Sequence, residues 1–426
     1  MSFKHRPLAA SAREIRLISV QPFIHGQSIQ LELKHAPLDG KPEYEALSYT
    51  WGTDIPGKTI AINDQAVDPN DEPREICISN NLYEFLITRA QAVETADSDK
   101  GTWLWIDQIC IDQTDVLEKN SQIPLMPDIY ASATQVIVWL GPGFEGSDAL
   151  MECLGSATIS SADGETASIP DTPGAVFWSC PNKADSKPIL HMYMSHIPAL
   201  RAFIDLSYWY RVWICQEIAL SERRLLCLGN MTISWHRCRR HLAVLHACFS
   251  YDPIPELRGR QLSDQLALLN DLFHMTHHEV NEHIHREWWQ IIPMTKDRKC
   301  ARTEDKVYGV LGMVEEHLRI GPLACSSLQD LYWQVLRKQM KYMDTEGHFA
   351  VLSVFIAAYE LASSLRLALG LESQIPFLKV PVIVWRELRK EIRGKWRKRD
   401  WLLGLYLLAS FMVSDCKAER ESKKWV

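Results

Sequence analysis

Trp103-Leu-Trp-Ile-Asp-Gln-Ile-Cys-Ile-Asp-Gln113 begins with a compact apolar run, Trp103 to Ile106, that stops at Asp107. This is the pattern of a buried strand with a polar residue at its carboxyl end. The same signal recurs on either side. Upstream, Ile15, Leu17 and Ile18 open a strand, and Ile29, Leu31 and Leu33 alternate with polar neighbours. Tyr44 to Trp51 is a third apolar run closed by Gly52, and Thr59 to Ile62 forms a short strand. Downstream, Gln135 to Leu140 is another buried strand, ended by Gly141 and Pro142. Helices fall between them. Asn81 can cap one, with Glu84 in the reciprocal capping position and Leu82, Phe85, Leu86 and Ala90 on one face. A second should occupy roughly Asn120 to Ala133, where Pro124 and Pro127 restrict its start. Strands alternating with helices predict an α/β fold, a mainly parallel sheet flanked by helices.

The rest of the chain reads differently. Residues 1–150 form the α/β core, and 151–190, rich in Ser, Gly, Asp, Thr and Pro, read as a flexible insertion. A more helical second half covers 191–320. Within it, Arg224 to Trp235 predicts a hairpin turning at Gly229–Asn230, Leu262 to His285 an amphipathic helix, and Glu304 to Met313 a helix opening on acidic residues. Residues 321–426 are a helical C-terminal region with a basic stretch. Between Arg386 and Arg399 eight Lys or Arg face only Glu387 and Glu391, a net +6 in a chain whose overall charge is −7.

Composition narrows the function classes. With 426 residues, 46% hydrophobic and 23% charged, the chain is long enough for a large core and is neither disordered nor fibrous. An acidic balance gives no whole-chain footprint for nucleic acid. Eleven cysteines without one C-x-x-C pair exclude the usual zinc spacings and predict reduced thiols in a cytoplasmic protein. The first 16 residues lack the apolar core of a signal peptide, and no run reaches the ~20 uninterrupted apolar residues that span a bilayer. The basic stretch, interleaved with Trp385, Trp396 and Trp401 and followed by apolar Leu402 to Val413, is compatible with contact to acidic lipid or to nucleic acid, although a solvated basic helix is the simpler expectation.

Candidate chemistry gathers at strand ends, because ligands of open α/β sheets bind outside the carboxyl ends of the strands. Asp107, Cys110, Asp112 and Gln113 bring acid, thiol and amide to that rim; alternatively, Asp107 caps loop amides and Cys110 packs as a small hydrophobe. Ser48, Trp51 and Gly52 offer hydroxyl, indole and glycine, able to face a ring-bearing ligand or to fill core. Arg211, Trp213, Gln216 and Glu217 share helical spacing, and the Arg and Glu suit a structural ion pair. Five of fifteen histidines lie within His274 to His285, but His278-Glu279 lacks the second histidine of H-E-x-x-H, so no metal site is expected. Nucleophile-elbow, phosphate-loop and dinucleotide-binding glycine motifs are all absent from the sequence.

Six segments in order resemble the fungal heterokaryon incompatibility (HET) domain: Tyr44-Glu-Ala-Leu-Ser-Tyr-Thr-Trp-Gly52, Leu104 to Gln113, Glu118-Lys-Asn-Ser-Gln122, Met126-Pro-Asp-Ile-Tyr130 with Val138-Trp-Leu-Gly141, Arg211-Val-Trp213 with Gln216-Glu217, and Asp305-Lys306 through Gly312. Asp112 stands where the family usually has Asn. The resemblance implies a toxic effector in fungal non-self recognition and programmed cell death, acting with protein partners or by self-association. It also implies a distant likeness to TIR domains, some of which cleave the glycosidic bond of NAD, and so a TIR- or flavodoxin-like core. Under that enzymatic alternative no cofactor is bound and NAD is a substrate. Asp107 or Glu118 would stabilise oxocarbenium character, Trp51 would hold a ring, and Asp112 and Gln113 would orient ribose hydroxyls. Asp305 and Lys306 are placed with Arg211 and Glu217 as structural or interface residues.

Overall fold

The computed structural model describes residues 2–9, 12–22, 28–52, 55–65, 74–95, 102–160, 166–168, 190–191, 193–251, 265, 269, 272, 275, 286–321, 327–346, 351–376 and 379–391. The predicted amphipathic helix over Leu262 to His285, with its histidines, lies outside them apart from isolated positions, as does the basic run beyond residue 391. The chain divides into two compact units, Met1–Ile284 and His285–Val426.

The first unit is built on a nine-stranded sheet. Its strands are β1 (Glu14–Val20), β2 (Gln30–Pro37), β3 (Glu45–Ser48), β4 (Lys58–Asp64), β5 (Arg74–Ile78), β6 (Trp103–Trp105) and β7 (Gln135–Trp139). A small separate hairpin, β8 (Thr158–Ser160) with β9 (Thr166–Ser168), precedes β10 (Arg224–Leu228) and β11 (Met231–Ser234). The order across the sheet is β11-β10-β7-β3-β6-β1-β2-β4-β5. β10, β7, β3 and β6 run parallel to one another, and β2 runs parallel to β4. The other four pairings are antiparallel. The sheet is therefore mixed, where alternation of strands and helices suggested a mainly parallel one. Strands next to each other in sequence do this: β1 with β2, β4 with β5 and β10 with β11 pair antiparallel.

Flanking helices are α1 (Asn80–Thr95), α2 (Asp107–Cys110), α3 (Val116–Gln122), α4 (Met126–Ser132), α5 (Ser147–Gly155), α6 (Ile197–Ile204), α7 (Ile214–Ala219) and α8 (Trp235–Tyr251). Helix α1 buries Leu82, Phe85, Leu86 and Ala90, the face that its spacing predicts. Its cap differs from the expectation. The Leu82 amide donates to Ser79 Oγ at 3.4 Å, so Ser79 supplies the cap and Asn81 is released for contacts across the strand ends. The helix expected over Asn120 to Ala133 breaks into α3, a 3₁₀ turn at Ile123–Leu125 and α4, with Pro124 and Pro127 each within the first two positions of the new segment. A proline lacks the amide hydrogen for an internal helical bond and fits the first turn, so two prolines force two restarts. The Arg224 to Trp235 hairpin forms as predicted, and Gly229 turns it at φ +56°. A Cβ there would lie 2.9 Å from the Gly143 nitrogen, so close approach as well as conformation requires glycine.

The second unit is helical among its described residues: α9 (Trp288–Thr295), α10 (Asp305–Tyr308), α11 (Leu328–Glu346), α12 (Val351–Ala368) and α13 (Val380–Glu391). Glu287 and Gln290 form a reciprocal capping box at the start of α9. The helix expected over Glu304 to Met313 is shorter. It ends at Gly309 and is followed by a 3₁₀ turn at Leu311–Met313. No helix among the described residues is long and apolar enough to cross a membrane.

Candidate functional site

Because β3, β6 and β7 are parallel, their carboxyl ends lie on one edge of the sheet. Ser48-Tyr-Thr-Trp-Gly52 leaves β3 there and Asp107 follows β6, so two sequence segments more than fifty residues apart become neighbours. The Trp51 indole joins them, its Nε1–H pointing to Asp107 Oδ1 at 3.1 Å and Oδ2 at 2.9 Å. The Gln108 amide donates to Asp107 Oδ1 at 2.7 Å. Asp107 stays half-buried, crowded by neighbours yet open to solvent on one side. Burial raises its carboxyl above the ordinary range, against the pull of Arg211 and the indole and amide donors.

A third segment closes the cluster from the start of α7. Ser48 is fully buried and donates its hydroxyl proton to Glu217 Oε2. Ser48 has one proton to give, so the Tyr208 hydroxyl donates to Ser48 Oγ, at 2.7 Å. The Arg211 guanidinium lies 4.0 Å from Glu217 Oε2 and donates to the Tyr49 carbonyl. Burial pushes the Glu217 carboxyl up to about 7, opposed by Arg211 and Ser48 and assisted by Asp107. Charge adds to burial in the same direction. One guanidinium neutralises one carboxylate, so a second ionised carboxylate in the same buried cluster is penalised. Burial also lifts the Tyr49 and Tyr208 phenols well above their ordinary value, so both act as neutral donors.

Supporting groups fix the edge from behind. Tyr49 OH and Ser79 Oγ both donate to Gln108 Oε1 at 3.1 Å. Asn81 donates to the Thr50 carbonyl at 2.7 Å and accepts from the Trp139 indole at 3.0 Å. Gln113 Nε2 donates to the Asp107 carbonyl at 2.9 Å. Gly52 is exposed at φ +81°, the left-handed conformation that turns the chain after Trp51. Tyr49, Tyr208, Ser79 and Asn81 were not singled out as site residues from the sequence. The tyrosines carry no motif outside their neighbours, whereas Asn81 was visible as a polar residue at a helix start.

Other candidates make different contacts. Glu118 is buried and accepts two bonds from Arg16, at 2.6 and 2.8 Å, and one from the Asp112 amide at 2.7 Å. Arg16 is fully buried and also donates to the Cys110 and Arg6 carbonyls at 2.8 and 2.5 Å. This clamp ties β1 to the loop after α2. Asp112 turns that loop, accepting from the Thr114 amide and hydroxyl at 2.9 and 2.7 Å, with His5 Nδ1 3.8 Å away. The Cys110 thiol is buried and pushed up to about 12 by burial, so it is protonated at neutral pH. Gln216 is buried and Trp213 half-buried, both around the start of α7. In the second unit, Lys306 donates to the Lys296 carbonyl at 2.6 Å and to that of Arg298, stapling the chain just past α9 next to Asp305. Among the described residues no group of three or more His, Cys, Asp or Glu could hold a metal ion, and every cysteine is unbridged.

Residues 44–217, which contain every member of the edge cluster, match the family model described as Heterokaryon incompatibility protein (HET). The chain is also 25% identical over 250 residues to "Heterokaryon incompatibility protein 6, OR allele" of Neurospora crassa. That alignment covers 55% of this chain and 36% of the relative, so it spans little more than a third of that protein's length. No solved structure matches the chain significantly.

Proposed function

We propose that this chain, which matches the heterokaryon incompatibility (HET) family model across residues 44–217, is a heterokaryon-incompatibility effector that acts in fungal non-self recognition and programmed cell death through protein association. One observation carries the reading. Ser48, Tyr208, Glu217 and Arg211 direct their polar groups at one another, while Ile55 on the loop leaving β3, and Val116 and Leu117 at the start of α3, are 90%, 62% and 79% exposed. A polar network that satisfies itself fixes backbone geometry, and exposed large apolar side chains on the same unit suit a protein contact better than water. Expression of the full chain in a fungal host tests this. Growth arrest is expected from the wild type, and its loss is expected in the triple variant Ile55→Lys, Val116→Lys, Leu117→Lys, with both proteins present at equal level. Arrest by the triple variant equal to that of the wild type defeats the reading.

A second reading, a TIR-like NAD glycohydrolase, draws support from Asp107 itself. A carboxylate held by an indole at a strand end, with one side open to solvent, suits stabilisation of positive charge on a ribosyl group, and the parallel block β10-β7-β3-β6 suits a TIR- or flavodoxin-like core. Glu118 is less suited to the role, since both its oxygens are engaged by Arg16. Concentrated full-length protein incubated with NAD should then release nicotinamide, measured by chromatography, and Asp107→Asn should abolish the release without unfolding the chain. Absence of release from the folded wild type removes this alternative.

A further inference from the structure

The second unit gathers cations in a way that its packing does not need. Glu387 on α13 is 2% exposed, and three cations converge on its carboxylate: Lys390 Nζ at 2.8 Å, Arg386 Nε at 3.4 Å and Arg337 Nε, from α11, at 3.4 Å. One charge of the three is neutralised. The three side chains remain 60%, 55% and 57% exposed for Arg386, Arg337 and Lys390, so a net charge of +2 is held together at the surface. Helical spacing extends the cluster. Trp333, Arg337 and Lys341 follow at intervals of four on α11, and Val382, Arg386 and Lys390 do the same on α13, so each set falls on one helix face. Trp333 is half-buried with the Arg337 guanidinium 5.3 Å from its ring centre, and Val382 is exposed. Each helix thus sets one apolar group one turn before its cations. The sequence continues the chemistry, since residues 392–399 add five Lys or Arg around Trp396.

We propose that the face made by Trp333, Arg337 and Lys341 of α11 with Val382, Arg386 and Lys390 of α13 docks on an anionic lipid membrane. Clustered cations attract acidic headgroups, and apolar and indole side chains beside them sit at the headgroup boundary. A lipid surface fits this mixture better than a nucleic acid, whose contacts are made by cations and polar groups on a broadly basic face. The chain carries −7 overall, so attraction must be local to this face. The inference does not depend on the reading of the strand-edge cluster in the first unit.

Flotation of the full chain with vesicles tests it. Vesicles of phosphatidylcholine with about 30% phosphatidylserine should bind the protein at about 0.1 M salt, and the binding should fall steeply at about 0.5 M. Pure phosphatidylcholine vesicles should not bind it. The triple variant Arg337→Gln, Arg386→Gln, Lys390→Gln should bind roughly a hundredfold more weakly, while Lys4→Gln, on the first unit, should behave as wild type. Because the triple variant leaves Glu387 unpaired, the pair Lys341→Gln, Val382→Ser tests the same face without touching that carboxylate, and a loss of roughly tenfold is expected. Equal binding to neutral vesicles, unchanged binding by both variants, or displacement of the protein from vesicles by duplex DNA at equal phosphate overturns the proposal.

Discussion

Glu118→Ala lowers the unfolding free energy by about 3–5 kcal/mol, because it leaves the fully buried Arg16 guanidinium without its counter-charge. A domain's whole stability is on the order of 5–15 kcal/mol, so this one change removes a large share of it. Most of the cost is the stranded cation and little of it is the net worth of the pair. The variant Arg16→Met with Glu118→Leu should therefore recover most of the loss, as apolar replacement of a buried pair usually does. Asp107→Asn is the informative comparison. Asp107 is half-open and its carboxyl is already raised, so a neutral amide at that position should change stability by less than about 1 kcal/mol. Urea unfolding of the four proteins separates the two acids that the sequence could not rank. Glu118→Ala within 1 kcal/mol of wild type would refute the clamp and restore Glu118 as a candidate for chemistry.

The reason those two acids looked alike is instructive. Both sit near the same strand end in sequence, and only the partner across the sheet distinguishes them. That partner had a visible signal, since Ile15-Arg16-Leu17-Ile18 places an arginine inside an apolar strand, and a charge in that position needs a buried counter-charge. What the sequence does not encode locally is which acid answers it, because the pairing spans 102 residues. The strands themselves were legible, from the period-two alternation of β2 and the short apolar runs of β3, β6 and β7. Their relative directions were not. Alternation with helices favoured parallel neighbours, whereas β1 enters the sheet antiparallel to both β6 and β2. The meeting of Ser48, Asp107 and Glu217 was likewise hidden, because it follows from strand order and from the packing of α7 rather than from any spacing. Helix α1 shows the smaller version of this lesson. Its buried face followed from periodicity, but the choice of Ser79 over Asn81 as cap depended on Thr50 and Trp139, residues brought alongside by the sheet.

The strand-edge cluster should also leave its mark on stability as a function of pH. The Glu217 carboxyl stands at about 7 in the folded chain against an ordinary value of 4.5. Below pH 4.5 both folded and unfolded chains hold that proton and nothing is lost. Between 4.5 and 7 the unfolded chain releases it while the folded chain keeps it, so stability falls as pH rises and levels off above 7. A gap of that size corresponds to roughly 3 kcal/mol. Asp107, raised in the same direction, adds to the fall. His241, which is buried, and His5, which is half-buried, work oppositely. Burial lowers both, so their contribution grows as pH rises toward the ordinary histidine value of 6.5 and levels off above it. Comparing wild type with Glu217→Gln cancels the histidines and isolates Glu217 together with its coupling to Asp107, because the amide keeps an acceptor for Ser48 but cannot titrate. The difference between the two unfolding profiles should change by roughly 3 kcal/mol from pH 4.5 to 7.5, with the variant gaining relative to wild type as pH rises. A difference that stays constant across this range would mean that Glu217 is ionised throughout and that Arg211 alone sets its state. A changing difference would mean that the edge gains a negative charge near neutrality. The Ser48 hydroxyl would then reverse its role, donating to Glu217 above the transition and accepting from it below. A partner or substrate at this edge would meet a cluster of balanced charge on one side of that transition and a net negative cluster on the other.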